Sequence, residues 1–172
     1  DENYKLDPIS LYAKSKVKIE KYLLAIKKNN IFHPTILRFA TAFGLSPRMR
    51  FDLTISEFTK TLYNNKKLVI YDENTWRPYC HLLDFSNLIF TVLQKSNEIV
   101  GYEVFNAGSD ENNYTKKMIA DKILDYLPQG KVEYSINGSD PRNYKVNFSK
   151  VKKILNFEAK YDLNFGIREL LS

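Results

Sequence analysis

Short apolar runs bounded by Gly, Pro or Asn alternate along the chain with longer segments whose apolar residues recur every three or four positions. The first pattern is typical of buried strands and the second of amphipathic helices. Helices are predicted at 8–28, 53–63, 84–94, 114–126, 149–155 and 163–171. Extended segments are predicted at 35–39, 67–71, 76–82, 103–107, 131–136 and 144–146. Strands that alternate with helices predict an α/β protein.

Polar residues mark where several of these helices are expected to begin and end. Asp52 and Asp84 stand at the start of apolar periodic segments, where a carboxylate can accept hydrogen bonds from free backbone amides, so both are predicted N-caps. Asn29 and Asn30 are expected to end the first helix. The apolar side of the third helix is predicted to carry Leu88, Ile89, Val92 and Leu93.

The first helix carries Tyr12 and Lys16, whose spacing of four places them on one helix face. The same face continues through Ile19, Leu23 and Ile26, so we expect the pair to lie on a buried stripe. A buried ammonium is costly unless something pairs with it. A positive charge beside a phenol favours the phenolate, and such a pair suits a general base.

The same Tyr-x-x-x-Lys pattern also arises by chance in a chain with 12 Tyr and 26 Lys plus Arg. A second copy occurs at Tyr63 and Lys67. Its helix is expected to end near Asn64, before Lys67, so we interpret this copy as accidental. The helix face that precedes it holds Ile55, Phe58 and Leu62.

Composition narrows the class of protein. A length of 172 residues with 44% hydrophobic content predicts one folded domain of ordinary size. No run approaches the roughly 20 apolar residues of a membrane span. The net charge of +6 comes mostly from Lys spread over polar helix faces, which disfavours nucleic-acid binding. The single cysteine, Cys80, suits a reducing cytoplasm.

Arginine is rarer than lysine in this chain and is placed differently. Four arginines fall in predicted loops or at strand ends, at positions 48, 50, 77 and 142. The planar guanidinium can bind a phosphate through two parallel hydrogen bonds. An ion pair with Asp72 or Asp84 is the alternative for Arg77, and an ion pair with Asp140 is the alternative for Arg142.

His81 and Asp84 are predicted to be structural rather than catalytic. We expect a core histidine with its hydrogen bonds satisfied and a helix cap, respectively. With two His and one Cys in the chain, we expect no metal site.

Six segments in sequence order resemble the C-terminal half of an extended short-chain dehydrogenase/reductase of the nucleotide-sugar epimerase/dehydratase family. Residues 8–16 spell Pro-Ile-Ser-Leu-Tyr-Ala-Lys-Ser-Lys, which resembles the catalytic helix pattern Pro-x-Ser-x-Tyr-x-x-Ser-Lys. Residues 77–84 resemble the segment Arg-x-x-x-His-x-x-Asp. The six segments are 8–20, 37–44, 68–71 with 77–84, 105–108, 140–144 and 155–157.

The resemblance implies the C-terminal part of a Rossmann-like doubly wound parallel sheet plus a smaller mixed α/β substrate-binding domain. Residues 1–44 would supply the catalytic helix and one strand of the sheet. Residues 45–172 would mainly bind the nucleotide sugar, with about 79–96 returning to the sheet. The chain opens without Met, and with a helix followed by a strand, so we expect it to be part of a longer protein. The glycine-rich cofactor loop and the catalytic Ser or Thr of the family would lie upstream.

For the reacting centre, the resemblance implies that Tyr12 is the acid/base and that the cofactor is NAD or NADP. Lys16 would hold the nicotinamide ribose and favour the phenolate of Tyr12. Phe39 and Thr41 would line the boundary between cofactor and sugar, and Thr41 would also contact the substrate. Many members of the family have Asn at the position of Thr41.

For the nucleotide end, the resemblance implies that Asp52 and Leu53 lie beside the phosphates, at a helix N-terminus. The carboxylate of Asp52 would repel an anion, which favours Leu53 and the backbone amides as the contacts. Arg77 and Arg142 would hold the diphosphate. Ile70 would lie near the ribose.

The leading hypothesis is therefore a nucleotide-sugar epimerase or dehydratase that oxidises a sugar carbon transiently. A homodimer through the Tyr12 helix is implied by the resemblance, and the 172-residue chain alone is expected to be inactive. The alternatives are a non-catalytic relative that senses sugar nucleotides or dinucleotides and a basic nucleic-acid-binding domain.

Overall fold

A computed structural model of the chain describes residues 1–29, 31–136, 138 and 141–172. The helices are α1 Leu11–Ala25, α2 Thr54–Tyr63, α3 Leu82–Leu93, α4 Asn97–Val100, α5 Lys116–Leu124, α6 Ser149–Leu155 and α7 Leu163–Leu171. The strands are β1 Ile36–Phe39, β2 Thr41–Phe43, β3 Leu68–Tyr71, β4 Trp76–His81, β5 Val104–Ala107, β6 Asn113–Thr115 and β7 Val132–Ser135. In the described ranges, no helix combines the length and the apolar character needed to cross a bilayer.

The structure confirms all six predicted helices and the extended segments that became β1, β3, β4, β5 and β7. Helix α1 ends earlier than predicted, at Ala25, and Asn30 lies outside the described residues. Residues 144–146 do not form a strand. The prediction missed β2, which follows β1 after one residue, as well as the three-residue β6 and the four-residue α4.

The strands pair mainly in parallel. Strand β1 pairs with β5, β2 with β4 and β3 with β7, all parallel, while β6 adds to β4 in the antiparallel direction. Parallel strands that are joined through helices confirm the α/β class.

Buried side chains form two cores. The first, here named the sheet core, comprises Leu88, Val92, Val100, Phe105, Ala107, Phe148, Val151, Leu155 and Phe157. The second, here named the outer core, comprises Phe43, Ile55, Phe58, Leu62, Leu68, Ile70, Tyr79, Ile119, Ala120, Ile123, Leu163 and Ile167. The sheet core therefore takes residues from 100–107 and 148–157 as well as from 79–96. The boundaries of the two domains stay a prediction.

Helix α3 begins differently from the prediction. Its N-cap is His81, whose Nδ1 accepts a hydrogen bond from the backbone N–H of Leu83 at 3.2 Å, so the prediction of Asp84 as the cap was wrong. The strand β4 passes into α3 without a loop, which leaves Asp84 inside the first turn. Its buried carboxylate accepts hydrogen bonds from the backbone amides of Lys160 and Tyr161 at 3.0–3.2 Å. Asp84 therefore fastens the segment before α7 to α3.

The apolar side of α3 was predicted only in part. Leu88 and Val92 are buried in the sheet core. Ile89 and Leu93, each one position further on, are exposed, and the exposed fraction of Leu93 is 77%. A step of one residue turns a side chain by about 100° around the helix axis, and this places both residues away from the sheet core.

Replacing Asp84 with Asn is expected to lower the free energy of unfolding by roughly 1–3 kcal/mol. An amide has a single acceptor oxygen, so its NH₂ group would face a backbone N–H that now donates to the carboxylate. Chemical denaturation of the purified chain measures the change. Asp125→Asn is the matched control, because Asp125 lies on the surface and pairs only with Lys122 among its described hydrogen bonds through the side chain. Equal stability of Asp84→Asn and wild type would contradict the assigned role.

The single cysteine of the chain is buried. Cys80 lies on β4 with its side chain fully buried. Burial raises the pKa of its thiol to about 12, and the nearby charge of Asp84 adds to the effect. The thiol is therefore protonated and unreactive at neutral pH.

Candidate active site

The start of α1 presents Tyr12 and Lys16 together. Ser10 caps the helix, and its side-chain oxygen accepts a hydrogen bond from the N–H of Ala13 at 3.1 Å. The Nζ atom of Lys16 lies 5.4 Å from the centre of the Tyr12 ring. The two side chains therefore lie on one face of the helix, as the spacing predicts.

The first part of that face is open to solvent, so the prediction that Tyr12 and Lys16 lie on a buried stripe was wrong, while Leu23 and Ile26 further along are half-buried. Tyr12 is 72% exposed and Ile19 is 53% exposed. The less exposed face of α1 carries Ala13, Val17 and Glu20 instead. A run of apolar residues shows that a face can be covered, whereas burial depends on the surface that covers it.

Glu20 fixes α1 against the sheet. Its carboxylate accepts two hydrogen bonds from the guanidinium of Arg38 on β1, at 2.9 Å from Nε and 2.5 Å from Nη2. Arg38 also donates from Nη1 to the backbone oxygen of Glu2 at 3.1 Å. A two-point ion pair of this kind sets orientation as well as distance, so the position of Tyr12 relative to the sheet is defined.

The second Tyr-x-x-x-Lys copy does not repeat this arrangement. Tyr63 is the last residue of α2, and Lys67 lies beyond the helix in an ion pair with Glu133. The predicted end of the helix before Lys67 is confirmed, and the interpretation of this copy as accidental stays a prediction.

The loop before α2 carries an ion pair of Arg50 and Asp52. Arg50 donates to Asp52 from Nη2 at 2.5 Å and from Nε at 3.1 Å. The pKa of Arg50 is raised, first by the hydrogen bond to Asp52 and to a smaller extent by the phenol of Tyr12. The Arg50 guanidinium in turn lowers the pKa of Asp52. The loop and Tyr12 are therefore within electrostatic range of each other.

Asp52 is not the N-cap of α2, so that prediction was wrong. The cap position is Leu53, and no side chain accepts a hydrogen bond from the first amides of the helix. The carboxylate of Asp52 is held by Arg50 instead. The backbone amides at the start of α2 are thus left without a side-chain cap, next to the half-buried Leu53.

Tyr79 connects the start of α2 with β4. Its side chain is buried, and burial raises the pKa of the phenol, while the side chain of Thr54 partly opposes this shift. The charge of Arg77 and the side chain of Tyr144 also act on this phenol. These interactions bring the first turn of α2, the arginine of β4 and Tyr144 into one region.

Phe39 and Thr41 lie where β1 ends and β2 begins. The Phe39 ring stacks on Phe85 with their centres 4.0 Å apart. Thr41 is half-buried and pairs in register with Tyr79 on β4. Ligands of open parallel α/β sheets bind outside the carboxyl ends of the strands, and Phe39 closes one such strand beside Ala107.

Arg77 and Arg142 both lie near the start of strand β4. Arg77 is buried on β4, donates from Nη1 to the backbone oxygen of Trp76 at 2.8 Å and lies 5.2 Å from the centre of the Tyr144 ring. Asn143, which follows Arg142, accepts a hydrogen bond from the N–H of Trp76 through its side chain at 2.9 Å. The exposed Arg142 is therefore held next to the start of β4.

Asp84 and Asp140 were among the alternative ion-pair partners predicted for these two arginines. Asp84, one predicted partner of Arg77, accepts hydrogen bonds from the backbone of Lys160 and Tyr161. Asp140, the predicted alternative partner of Arg142, lies outside the described residues.

Ile70 lies in the outer core and is 1% exposed. Its contact with a ribose stays a prediction, and the side chains that β3 presents to solvent are those of Val69 and Tyr71. The sequence reasoning also missed Tyr79 and Tyr144. An aromatic residue two positions after Arg142 is the signal that could have indicated Tyr144.

The chain is therefore an α/β protein whose helix α1 exposes a Tyr–Lys pair. An ion pair between Glu20 and Arg38 joins this helix to the parallel strands. The model of the NAD dependent epimerase/dehydratase family matches residues 1–108, and the chain belongs to that family. Its prediction as an extended short-chain dehydrogenase/reductase of the nucleotide-sugar epimerase/dehydratase type is confirmed.

Curated relatives match over almost the whole chain. UDP-glucuronate 4-epimerase of Thermodesulfobacterium geofontis (strain OPF15) is 28% identical over 178 residues, which cover 99% of this chain and 52% of the relative. An uncharacterized UDP-glucose epimerase of Bacillus subtilis (strain 168) is 27% identical, over 96% of this chain and 52% of the relative. The chain thus spans about half the length of the curated relatives it matches.

Solved structures agree with the fold. The dTDP-glucose 4,6-dehydratase of Bacillus anthracis in complex with NAD superposes with a TM-score of 0.83 at 27% identity, over 99% of this chain and 54% of that chain. The UDP-glucose 4-epimerase of Thermotoga maritima with UDP-glucose gives a TM-score of 0.81 at 22% identity, over 99% and 58%, and is similar in fold. The predicted fold class, Rossmann-like with further α/β elements, is confirmed.

Proposed function

We propose that this chain supplies the catalytic helix and the nucleotide-sugar-binding part of an NAD(P)-dependent epimerase or dehydratase. The observation that carries the proposal is the exposed pair of Tyr12 and Lys16, with Lys16 Nζ 5.4 Å from the Tyr12 ring. An exposed phenol beside an ammonium can exchange a proton with a bound ligand. Membership of the epimerase/dehydratase family supports the assignment.

The residues of this chain fit the nicotinamide end of the cofactor. Tyr12 and Lys16 project from the same face of α1 into solvent, and Phe39 and Thr41 lie at a junction of strands. In the proposal, Tyr12 removes and returns the proton of a sugar hydroxyl, and Lys16 holds the nicotinamide ribose. NAD(P), when bound, supplies the hydride acceptor. We assign no residue to the pyrophosphate, because this sequence contains no glycine-rich loop of the family type.

The proposed substrate is a nucleotide-diphosphate sugar. Arg77 and Arg142 would bind the diphosphate, with Leu53 and the uncapped amides of α2 beside it, while Asp52 stays paired with Arg50. The similarity to enzymes named for dTDP-glucose, UDP-glucose and UDP-glucuronate supports this class of ligand.

Arg77→Lys and Arg142→Ala are each expected to weaken the binding of UDP and dTDP to the purified chain by about 10–100-fold, as expected for a charge-assisted hydrogen bond that is lost. Titration calorimetry at one fixed salt concentration measures the affinities. The matched control is Arg168→Ala, because Arg168 is exposed on α7. Equal affinity in wild type and both variants would contradict the diphosphate site.

We also propose a homodimer, a cytoplasmic location and the absence of activity in this chain by itself. A homodimer through α1 would cover the part of the helix that exposes Leu11 and Tyr22, and would leave Tyr12 open to the ligand. A cytoplasmic location accords with the single buried thiol. We also propose that the 172-residue chain is inactive by itself, which an assay for NAD reduction in the presence of a nucleotide sugar would test.

A sensing relative without catalysis is the second candidate function. It would bind the same nucleotide sugar, so affinity alone does not separate the two. Turnover by a protein of the relatives' full length that contains this chain separates them, since a sensor would show none.

A further inference from the structure

Glu169 on α7 contacts the first residue of the loop 45–53, which leads to the proposed site. Its Oε2 atom accepts a hydrogen bond from the backbone N–H of Leu45 at 2.5 Å and lies 3.1 Å from Nε2 of His81. The Glu169 side chain is 22% exposed and the His81 side chain is fully buried. One carboxylate oxygen therefore joins the last helix, the end of β4 and the first residue of the loop.

The hydrogen bond at Nδ1 of His81 determines whether Nε2 donates to Glu169 or accepts from it. Nδ1 of His81 accepts a hydrogen bond from the N–H of Leu83 at 3.2 Å, so the ring hydrogen of the neutral imidazole is on Nε2. Nε2–H then donates to Glu169. The ring is held in place by Phe43, Tyr161 and Phe165, whose ring centres lie 5.0–5.3 Å away. Glu169 thus accepts one N–H group from a ring that other residues hold in place and one from the first residue of the loop.

The loop between Leu45 and Leu53 connects this contact to the proposed site. It begins where Glu169 binds Leu45, carries the ion pair of Arg50 and Asp52, and ends at the start of α2. Hydrogen bonds to an ionised acceptor are stronger and more directional than neutral ones. Among the described hydrogen bonds that involve a side chain, Glu169 makes the one that ties the first residue of this loop to another element.

We propose that Glu169 is a positioning residue, which holds the loop 45–53, with its ion pair of Arg50 and Asp52, in the conformation that brings the start of α2 beside the diphosphate. The effect on the loop stands on the contacts above alone, whereas the effect on ligand affinity rests on the proposed function.

The first test examines the hydrogen bond in the wild-type chain. Nuclear magnetic resonance should show a scalar coupling across the hydrogen bond between the amide nitrogen of Leu45 and the carboxyl carbon of Glu169, and slow exchange of the Leu45 amide hydrogen. The ring nitrogen shifts of His81 should report the form with hydrogen on Nε2. Fast exchange of the Leu45 amide without a coupling would overturn the proposal, and this test needs no variant to fold.

The second test compares three variants. Glu169→Ala is expected to speed amide exchange within 45–53 at least 10-fold and to weaken UDP binding 3–10-fold. Glu169→Gln keeps an oxygen that can accept both N–H groups, so it should restore both quantities to within about threefold of wild type. Arg168→Ala, exposed at the neighbouring position of α7, is the matched control and should change neither.

The outcomes separate this proposal from the proposed function. Unchanged loop exchange in Glu169→Ala, or no rescue by Glu169→Gln, would overturn the positioning role. Exchange that rises equally throughout the chain would also overturn it, because that pattern reports global destabilisation. Failure of the wild-type chain to bind UDP or dTDP would contradict the diphosphate site, while the exchange result would still decide the role of Glu169.

Discussion

In a protein of the full length of the curated relatives that contains this chain, replacing Tyr12 with Phe is expected to lower turnover by about 10²–10⁴-fold and to leave the affinity for the nucleotide sugar unchanged. The substitution removes one hydroxyl group and keeps the ring, including its contact with Lys16. Because Tyr12 is mostly exposed, no cavity forms and the stability should stay the same. The effect would fall on kcat, as expected for a group that acts on the reacting proton.

Tyr22→Phe is the matched control, because Tyr22 is on the same helix and equally open to solvent. Steady-state rates with a nucleotide sugar and NAD, and separate binding titrations, give the comparison. Unchanged turnover in Tyr12→Phe would refute the acid/base role. Absence of turnover in the wild-type longer protein would favour the sensing relative.

Local geometry explains why the Tyr12–Lys16 pair could be predicted and its burial could not. A spacing of four residues places two side chains on one helix face whatever surrounds the helix. Whether that face is covered depends on other surfaces, and the described residues cover the face of Val17 and Glu20 instead. The sequence therefore predicted which residues act together but not their exposure.

The two wrong caps have the same cause. Asp is favoured at helix starts because its oxygen can accept amide hydrogen bonds, but a distant or neighbouring donor can compete for it. Arg50 takes the carboxylate of Asp52, and the backbone of Lys160 and Tyr161 takes that of Asp84. Capping preference is a local property, whereas the competing donors are brought in by the tertiary fold.

The alternation of apolar and polar residues along a strand also leaves its burial undetermined. The pattern of β3 predicts two faces, but it does not say which face meets the core, and Ile70 proved to be on the buried one. The region around Arg77 was predicted from its residue type, yet its contact with Tyr144 depends on a segment more than 60 positions later. Contacts between distant segments are what the sequence alone left open.

Gly44→Ala is expected to lower the free energy of unfolding by about 3–5 kcal/mol. Gly44 has a φ angle of +105°, which residues with a Cβ atom rarely adopt. A Cβ atom there would also collide with the ring of His81, which is buried and held by hydrogen bonds on both nitrogens. A shift of the backbone would disturb the hydrogen bond from Leu45 to Glu169, and a shift of the ring would disturb the contact between His81 and Glu169.

Gly130→Ala is the matched control for this effect. Its backbone lies outside the left-handed region, and the nearest atom to an added Cβ is the end of the flexible Leu124 side chain, at 2.8 Å. The control should therefore cost less than about 1.5 kcal/mol by chemical denaturation. A cost at Gly44 no larger than at Gly130 would show that the ring of His81 can yield. The loop 45–53 would then not depend on a rigid histidine, and Glu169 would have to hold it through Leu45 alone.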